Sequence, residues 1–500
     1  MHRTMGVIGA ASLGALALML VVGARAPREV EAASLSVFSS ADSGPGSFRA
    51  AVEAANADSI ITEIVLRNWL PVTLYTSVDY TGTQALTIRG DNPLAYRTIQ
   101  GSLFVPGDPN IEPLDCGMLR STGGADVTFS QVTVQHSWCD ALNIVPVAGD
   151  DEIVITLNKV VLRNNFGSGL FLHEIEEAEA AIRLHVTSSL VTGNGRCRGA
   201  GGCAFGGIEL QGVGQGSIDA ELSGSAFNGN GGDGLSVAWD EAEVTTAPPP
   251  VLDIDLTVTA NSTSFNDNGG SVPVLGVAER GSGRGPSIAS HQSGNGLTVA
   301  GTGLGAGTVS VTLTKVQASG NAGDGVEIIE GFGLTDDTSN VVFAATSVLA
   351  WGNGSDGLDV AEFGDGALEM DLASVSTWSN GGSGVAGSEE GDGDFGFEAA
   401  GSSSYRNGFN GFSLEAGGGD GELSAEFNQT VVSANGADGI HGDDAGDGFA
   451  GGGLSFEVSG CTIVFNGDDA IDLSATGDPG TLTVSASFIS GDIELDNVVQ

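Results

Sequence analysis

The chain predicts an all-β fold, a single right-handed parallel β-helix. This is a solenoid with three strands per coil and a short capping helix at its N-terminal end. The first observation behind this is a recurring sentence: an Asn, three residues on a small polar residue, then a small residue, then a large apolar one. Six copies stand at Asn321, Asn353, Asn380, Asn407, Asn435 and Asn466, as in Asn353-Gly-Ser-Asp356-Gly357-Leu358, at intervals of 27 to 32 residues. A fixed period of this length means one structural unit stacked on itself. The second observation is alternation after each small residue, as in Val326-Glu327-Ile328 and Phe412-Ser413-Leu414, the period of a strand with one buried face. The third is punctuation. Each unit holds two more short apolar runs, such as Leu423–Phe427 and Thr430–Val432, separated by Gly, Asn and Asp that turn the chain.

The elements follow in chain order. Residues 1–32 read as a secretory signal peptide, with His2 and Arg3 leading, an apolar run from Val7 to Val22, and Val30-Glu31-Ala32 as a small-residue cleavage site. That places the protein outside the cell or on its surface, with no membrane span once the signal is removed. Residues 33–105 form the N-terminal cap and first coils. Here Ser47 is suited to N-cap a short amphipathic helix ending near Asn56, which would cover the open end of the stack. Residues 106–320 are coils of less regular length, with insertions at 240–251 and 275–296. Clean copies begin at Asn165 and Asn230, and degenerate ones at Asn194 and Asn268. Residues 321–500 are regular repeats of about 28 residues.

The segment Asp42-Ser-Gly-Pro-Gly-Ser-Phe-Arg49-Ala-Ala-Val-Glu-Ala-Ala-Asn56 resembles the Asp-Ser-Gly-Pro-Gly-Ser-Leu-Arg opening of exported bacterial right-handed parallel β-helix proteins, with Phe48 for Leu and Val52 for Ile. The resemblance covers residues 35–105 by motif and the remainder by repeat style. It implies the pectin-lyase-like superfold, with the helix capping the first coil. That superfold hosts adhesins and polysaccharide enzymes alike, so the resemblance leaves activity open.

Composition narrows the partners. With 17 basic against 63 acidic residues the net charge is −46, and Lys159 and Lys315 are the only lysines. Such a surface repels nucleic acid and anionic bilayers and favours cations. Among five cysteines, Cys116 with Cys139 stand about one coil apart and Cys197 with Cys203 flank a Gly-rich loop, so these are the expected disulfides, leaving Cys461 buried and reduced.

The Asn column reads as structural: stacked amides can hydrogen-bond from coil to coil, and Asn tolerates the left-handed backbone of a sharp corner. A second column, Asp365, Asp392, Asp420, Asp447 and Asp478, sits in turns of the Gly-Asp-Gly type. Together with Asp394 these are the candidate metal ligands. No motif requires a cofactor, and Ca²⁺ is the ion that their hard oxygens suit.

Parallel β-helix lyases resemble one another in pairing acid-bound Ca²⁺ with an Arg or Lys base. After Lys315, however, the only basic residues are Arg406 and His441. A lyase site would have to form among Lys159, Arg163, His173, Arg183 and His185. Polygalacturonases resemble the chain in Asp438 and the pair Asp468-Asp469 near His441, but no His follows Asp469 and no Arg-x-Lys follows later. No catalytic residue is therefore assigned. The expected role is a non-catalytic, adhesin-like scaffold that contacts a glycan or a surface protein, with a polysaccharide lyase or glycoside hydrolase acting on acidic polysaccharide as the alternative.

Overall fold

A computed structural model of the chain describes residues 32–102, 117–147, 152–173, 181–195, 206–213, 216–240, 254–269, 294–301, 307–331, 338–417, 421–444, 453–476 and 479–499. The signal segment, Asp420, Asp447, Asp478, Cys116, Cys197, Cys203 and most of both insertions lie outside these residues.

The strands form three all-parallel sheets of 16, 14 and 14 strands, wound as a right-handed β-helix. We call them A, B and C. One coil runs through Leu368–Ala373 in sheet A, Ser376–Trp378 in sheet B and Val385–Glu389 in sheet C, and the next begins at Phe395–Ala400 in sheet A. The apolar residue of each repeat faces its equivalent in the next coil: Val326, Leu358, Val385, Phe412, Ile440 and Ile471 pair in that order. None is more than 1% exposed. Alternation thus produces a continuous apolar lining, and outward positions on the same strands stay polar.

The cap forms as expected. A helix over Phe48–Ala57 starts at Ser47, whose Oγ accepts the Ala50 N–H at 3.2 Å. It buries Phe48, Ala51, Val52 and Ala55 against the first strands. Arg49 pairs with Asp42 at 2.8 Å and donates to the Ser77 carbonyl at 2.6 Å, tying the preceding turn to the first coil.

One local expectation is corrected. The left-handed residue at the corner before sheet C is not the Asn but the residue before it, at Gly352, Ser379, Arg406, Ala434 and Phe465. The Asn side chain is instead turned inward. From Asn165 through Asn194, Asn230, Asn268, Asn321, Asn353, Asn380, Asn407 and Asn435 to Asn466, each Nδ2 donates to the Oδ1 of the next at 2.7–3.1 Å. That contact needs the corner to turn one residue earlier. Cys139 is disulfide-bonded and Cys461 is buried and free.

Candidate functional site

Loop length marks one face of the solenoid. From Val127 onward the corner between sheets A and B is never longer than two residues. The corner into sheet C opens at 193–207 and 267–296, and the corner out of it opens at 241–254. Both long insertions therefore border sheet C. The Asn ladder is continuous through these coils, with Asn194 bonded to Asn230, Asn230 to Asn268 and Asn268 to Asn321.

Two columns cover the outer face of sheet C. At the corner, three residues after the ladder Asn in the regular coils, stand Asp324, Asp356, Ser383, Asn410, Asp438 and Asp469, with Asp140, Ser168, Asp233 and Asn295 above them. Four of the acidic ones accept a backbone N–H group of the next coil: Asp140 Oδ1 from Ser168 at 2.7 Å, Asp233 Oδ1 from Asn295 at 2.8 Å, Asp324 Oδ1 from Asp356 at 2.6 Å, and Asp438 Oδ1 from Asp469 at 2.9 Å. On the strands themselves Glu209, Ser236, Thr298, Glu327, Asp359, Ala386, Ser413, His441 and Asp472 follow in register.

Seven carboxyl groups, Asp140, Glu209, Asp233, Asp324, Glu327, Asp356 and Asp359, are thereby drawn into one strip. Among the described residues none of them forms an ion pair. Burial disfavours their charged forms. It raises Glu209 to about 8, although the Ser168 hydroxyl donates to Glu209 at 2.7 Å and pulls the other way. Burial, with the charges of Asp324, Asp359 and Asp233, raises Glu327 to about 8. Burial, with Asp324 and Asp356, raises Asp359 to about 7, and burial raises Asp140 and Asp233 to about 7 and Asp356 to about 6. The strip thus carries protonated carboxyls, which donate, beside carboxylates, which accept.

Ligating side chains converge at two places among the described residues. Asp324, Asp356 and Asp359 each bring an oxygen within 4.8 Å of the others, as do Asp438, His441 and Asp472 with one ligand atom each. The first set is all hard oxygen and is of the kind that holds Ca²⁺. The expected ligands Asp365, Asp392 and Asp394 are exposed, one corner away, and belong to neither set. Sequence reasoning passed over Asp324, Glu327, Asp356 and Asp359. Their signal was present, since Glu327 and Asp359 occupy the same place after the repeat Gly and must stack.

The five bases considered for a lyase do not assemble. Lys159 lies at the corner between sheets A and B, and Arg163 is on sheet B, donating to Gln135 at 2.7 Å. His173 is on sheet C against Gln211, while Arg183 and His185 are on sheet A, paired with Glu152 and Glu221. The most ordered aromatic feature is on sheet B. Trp351, Trp378 and Tyr405 stack with centroids 4.7 and 5.8 Å apart and ring planes within 4°. Those faces are spent on one another, so the stack stabilises neighbouring coils and offers no broad ring platform to a sugar.

No protein-family model matches the chain, and no curated protein matches it. Solved structures resemble it at low identity. Pectate lyase Pel9A is 15% identical, with a TM-score of 0.39 over 69% of this chain and 78% of that one. A point mutant of the periplasmic alginate epimerase AlgG is 11% identical, with a TM-score of 0.33 over 79% of this chain and 84% of that one. Among the described residues no helix is long and apolar enough to cross a membrane.

Proposed function

We propose that the chain is an exported β-helix scaffold that engages a glycan along the outer face of sheet C. The observation that supports it is the coincidence on one face of both loop-bearing edges and the unpaired carboxyl strip. Insertions in solenoids gather around the face that binds. Asp356 and Asp359, the partly exposed members of the strip, are carboxyls that can both donate and accept and so match sugar hydroxyls. The net charge of −46 disfavours a polyanionic chain unless cations bridge it, so the preferred partner is a neutral glycan.

A second reading has one observation in its favour. Carboxyls held near 6 to 8 are suited to general acid catalysis, and among the described residues the strip contains no Arg or Lys, so the chemistry its own groups favour is hydrolysis. The experiment is binding of the full chain to a panel of neutral and acidic polysaccharides by affinity electrophoresis, with reducing ends and unsaturated ends assayed in parallel. Glu327→Gln with Asp359→Asn should weaken retention on a neutral polymer at least tenfold, and Glu426→Gln on sheet A should not. Equal retention of both variants would refute the assignment to this face. Reducing-end release lost in the double variant would establish the hydrolase reading.

A further inference from the structure

Asp438, His441 and Asp472 lie on the lower coils of sheet C and take no part in the buried strip. His441 is the only imidazole in residues 321–500. Its column is occupied by Ser413 one coil above and Asp472 one coil below. Its Nδ1 is 3.1 Å from Asp472 Oδ2 and 3.8 Å from Asp438 Oδ2, and the three side chains keep 24%, 29% and 13% of their surface exposed. The Asp438 carboxylate is held in place through its other oxygen, Oδ1, by the Asp469 N–H. Its Oδ2 is thereby turned toward the imidazole.

We propose that these three side chains form a Zn²⁺ site. The donor set is one imidazole nitrogen and two carboxylate oxygens. Nitrogen with oxygen selects a borderline ion such as Zn²⁺ over Ca²⁺ or Mg²⁺, which take oxygen alone. Tetrahedral Zn²⁺ with ligands about 2.0–2.1 Å away sets neighbouring donors about 3.3–3.4 Å apart. The two His–carboxylate separations bracket that value, and all three ligand atoms lie within 4.8 Å of one another, so side-chain adjustment without backbone movement brings them onto one ion. Three protein ligands leave a fourth position facing solvent. Asp468, Asp469 and Glu494 add negative charge around the site, and the nearest basic side chain in sequence, Arg406, belongs to sheet B's corner. The competing account is an imidazolium held between two carboxylates with no metal, and it predicts no Zn²⁺ dependence. The proposal stands apart from glycan binding, because its readout is metal alone.

The test is calorimetric titration of the metal-stripped full chain with Zn²⁺, together with the visible spectrum after Co²⁺ addition. One equivalent should bind, with the intense d–d bands of tetrahedral Co²⁺. His441→Ala should abolish both, and Asp472→Asn should weaken binding at least tenfold, with circular dichroism unchanged because both side chains point away from the apolar lining of the coil. Unaltered Zn²⁺ stoichiometry and affinity in His441→Ala, absence of binding in the parent chain, or displacement by equimolar Ca²⁺ would each overturn it.

Discussion

At the scale of the residue, the repeat is a set of positions with separate tasks. Leu358 is fully buried between Val326 and Val385 in the apolar lining. Leu358→Asp should lower stability by several kcal/mol, on the order of 2–3 kcal/mol for lost apolar burial plus the cost of an unpaired buried charge. The urea midpoint reads this, and a midpoint unmoved by the substitution would mean that the register is wrong. The neighbouring Gly357 is small for a different reason. Its backbone is not left-handed; a Cβ there would sit 2.5 Å from the Gly384 carbonyl oxygen and 2.8 Å from Asn380 Nδ2. Ala470 fills the equivalent place in the last clean copy, where the next coil supplies no ladder Asn to collide with it.

At the scale of the element, the Asn corner joins coil to coil. Asn380 donates to Asn407 Oδ1 at 3.0 Å and to the Ala350 carbonyl at 3.2 Å, and its Oδ1 accepts from both Nδ2 and N of Asn353. Asn380→Ala leaves several buried partners unmatched at once, so a loss of about 2–4 kcal/mol is expected, each orphaned group costing about 1–3 kcal/mol before relaxation. Amide exchange should rise first at Asn353 and Asn407 and stay slow at the cap helix; uniform acceleration along the chain would contradict a local corner role. The ladder was legible because one residue type recurs at one spacing, and even the degenerate Asn194 and Asn268 take their places in it. Which residue turns left-handed was not, because the sequence shows a corner without showing which side of it the amide enters. The carboxyl strip was legible only in part. Counting from the repeat Gly places Glu327 over Asp359, but the approach of Asp324 and Asp356 depends on corner side chains folding over backbone N–H groups. The Gly-Asp-Gly turns attracted attention by composition, and the described ones, Asp365 and Asp392, are exposed.

At the scale of the whole molecule, the stack concentrates like charge in a way that stability should report. Glu209 and Glu327 are raised to about 8, Glu389 is raised to about 8 by burial with Glu362 adding its charge, and Asp140, Asp233 and Asp359 are raised to about 7. In the unfolded chain these groups titrate near 4. Between roughly pH 4 and 8, in the window set by those values, the folded state therefore holds protons that the unfolded state has released, and stability must fall as pH rises. Each such group contributes about 1.4 kcal/mol per pH unit at most while it is protonated only in the fold. The stabilisation is complete below the unfolded value and gone above the folded one. The melting temperature should be highest near pH 4 to 5, decline through pH 6 to 8 and level off beyond. Glu209→Gln should flatten that decline, because a neutral amide keeps the Ser168 hydrogen bond and titrates in neither state. Millimolar Ca²⁺ should raise the melting temperature at pH 8 and have little effect at pH 5, since only ionised carboxylates at Asp324, Asp356 and Asp359 can receive it. A melting temperature that climbs between pH 5 and pH 8 without metal would show that the strip is ionised and otherwise compensated in the fold.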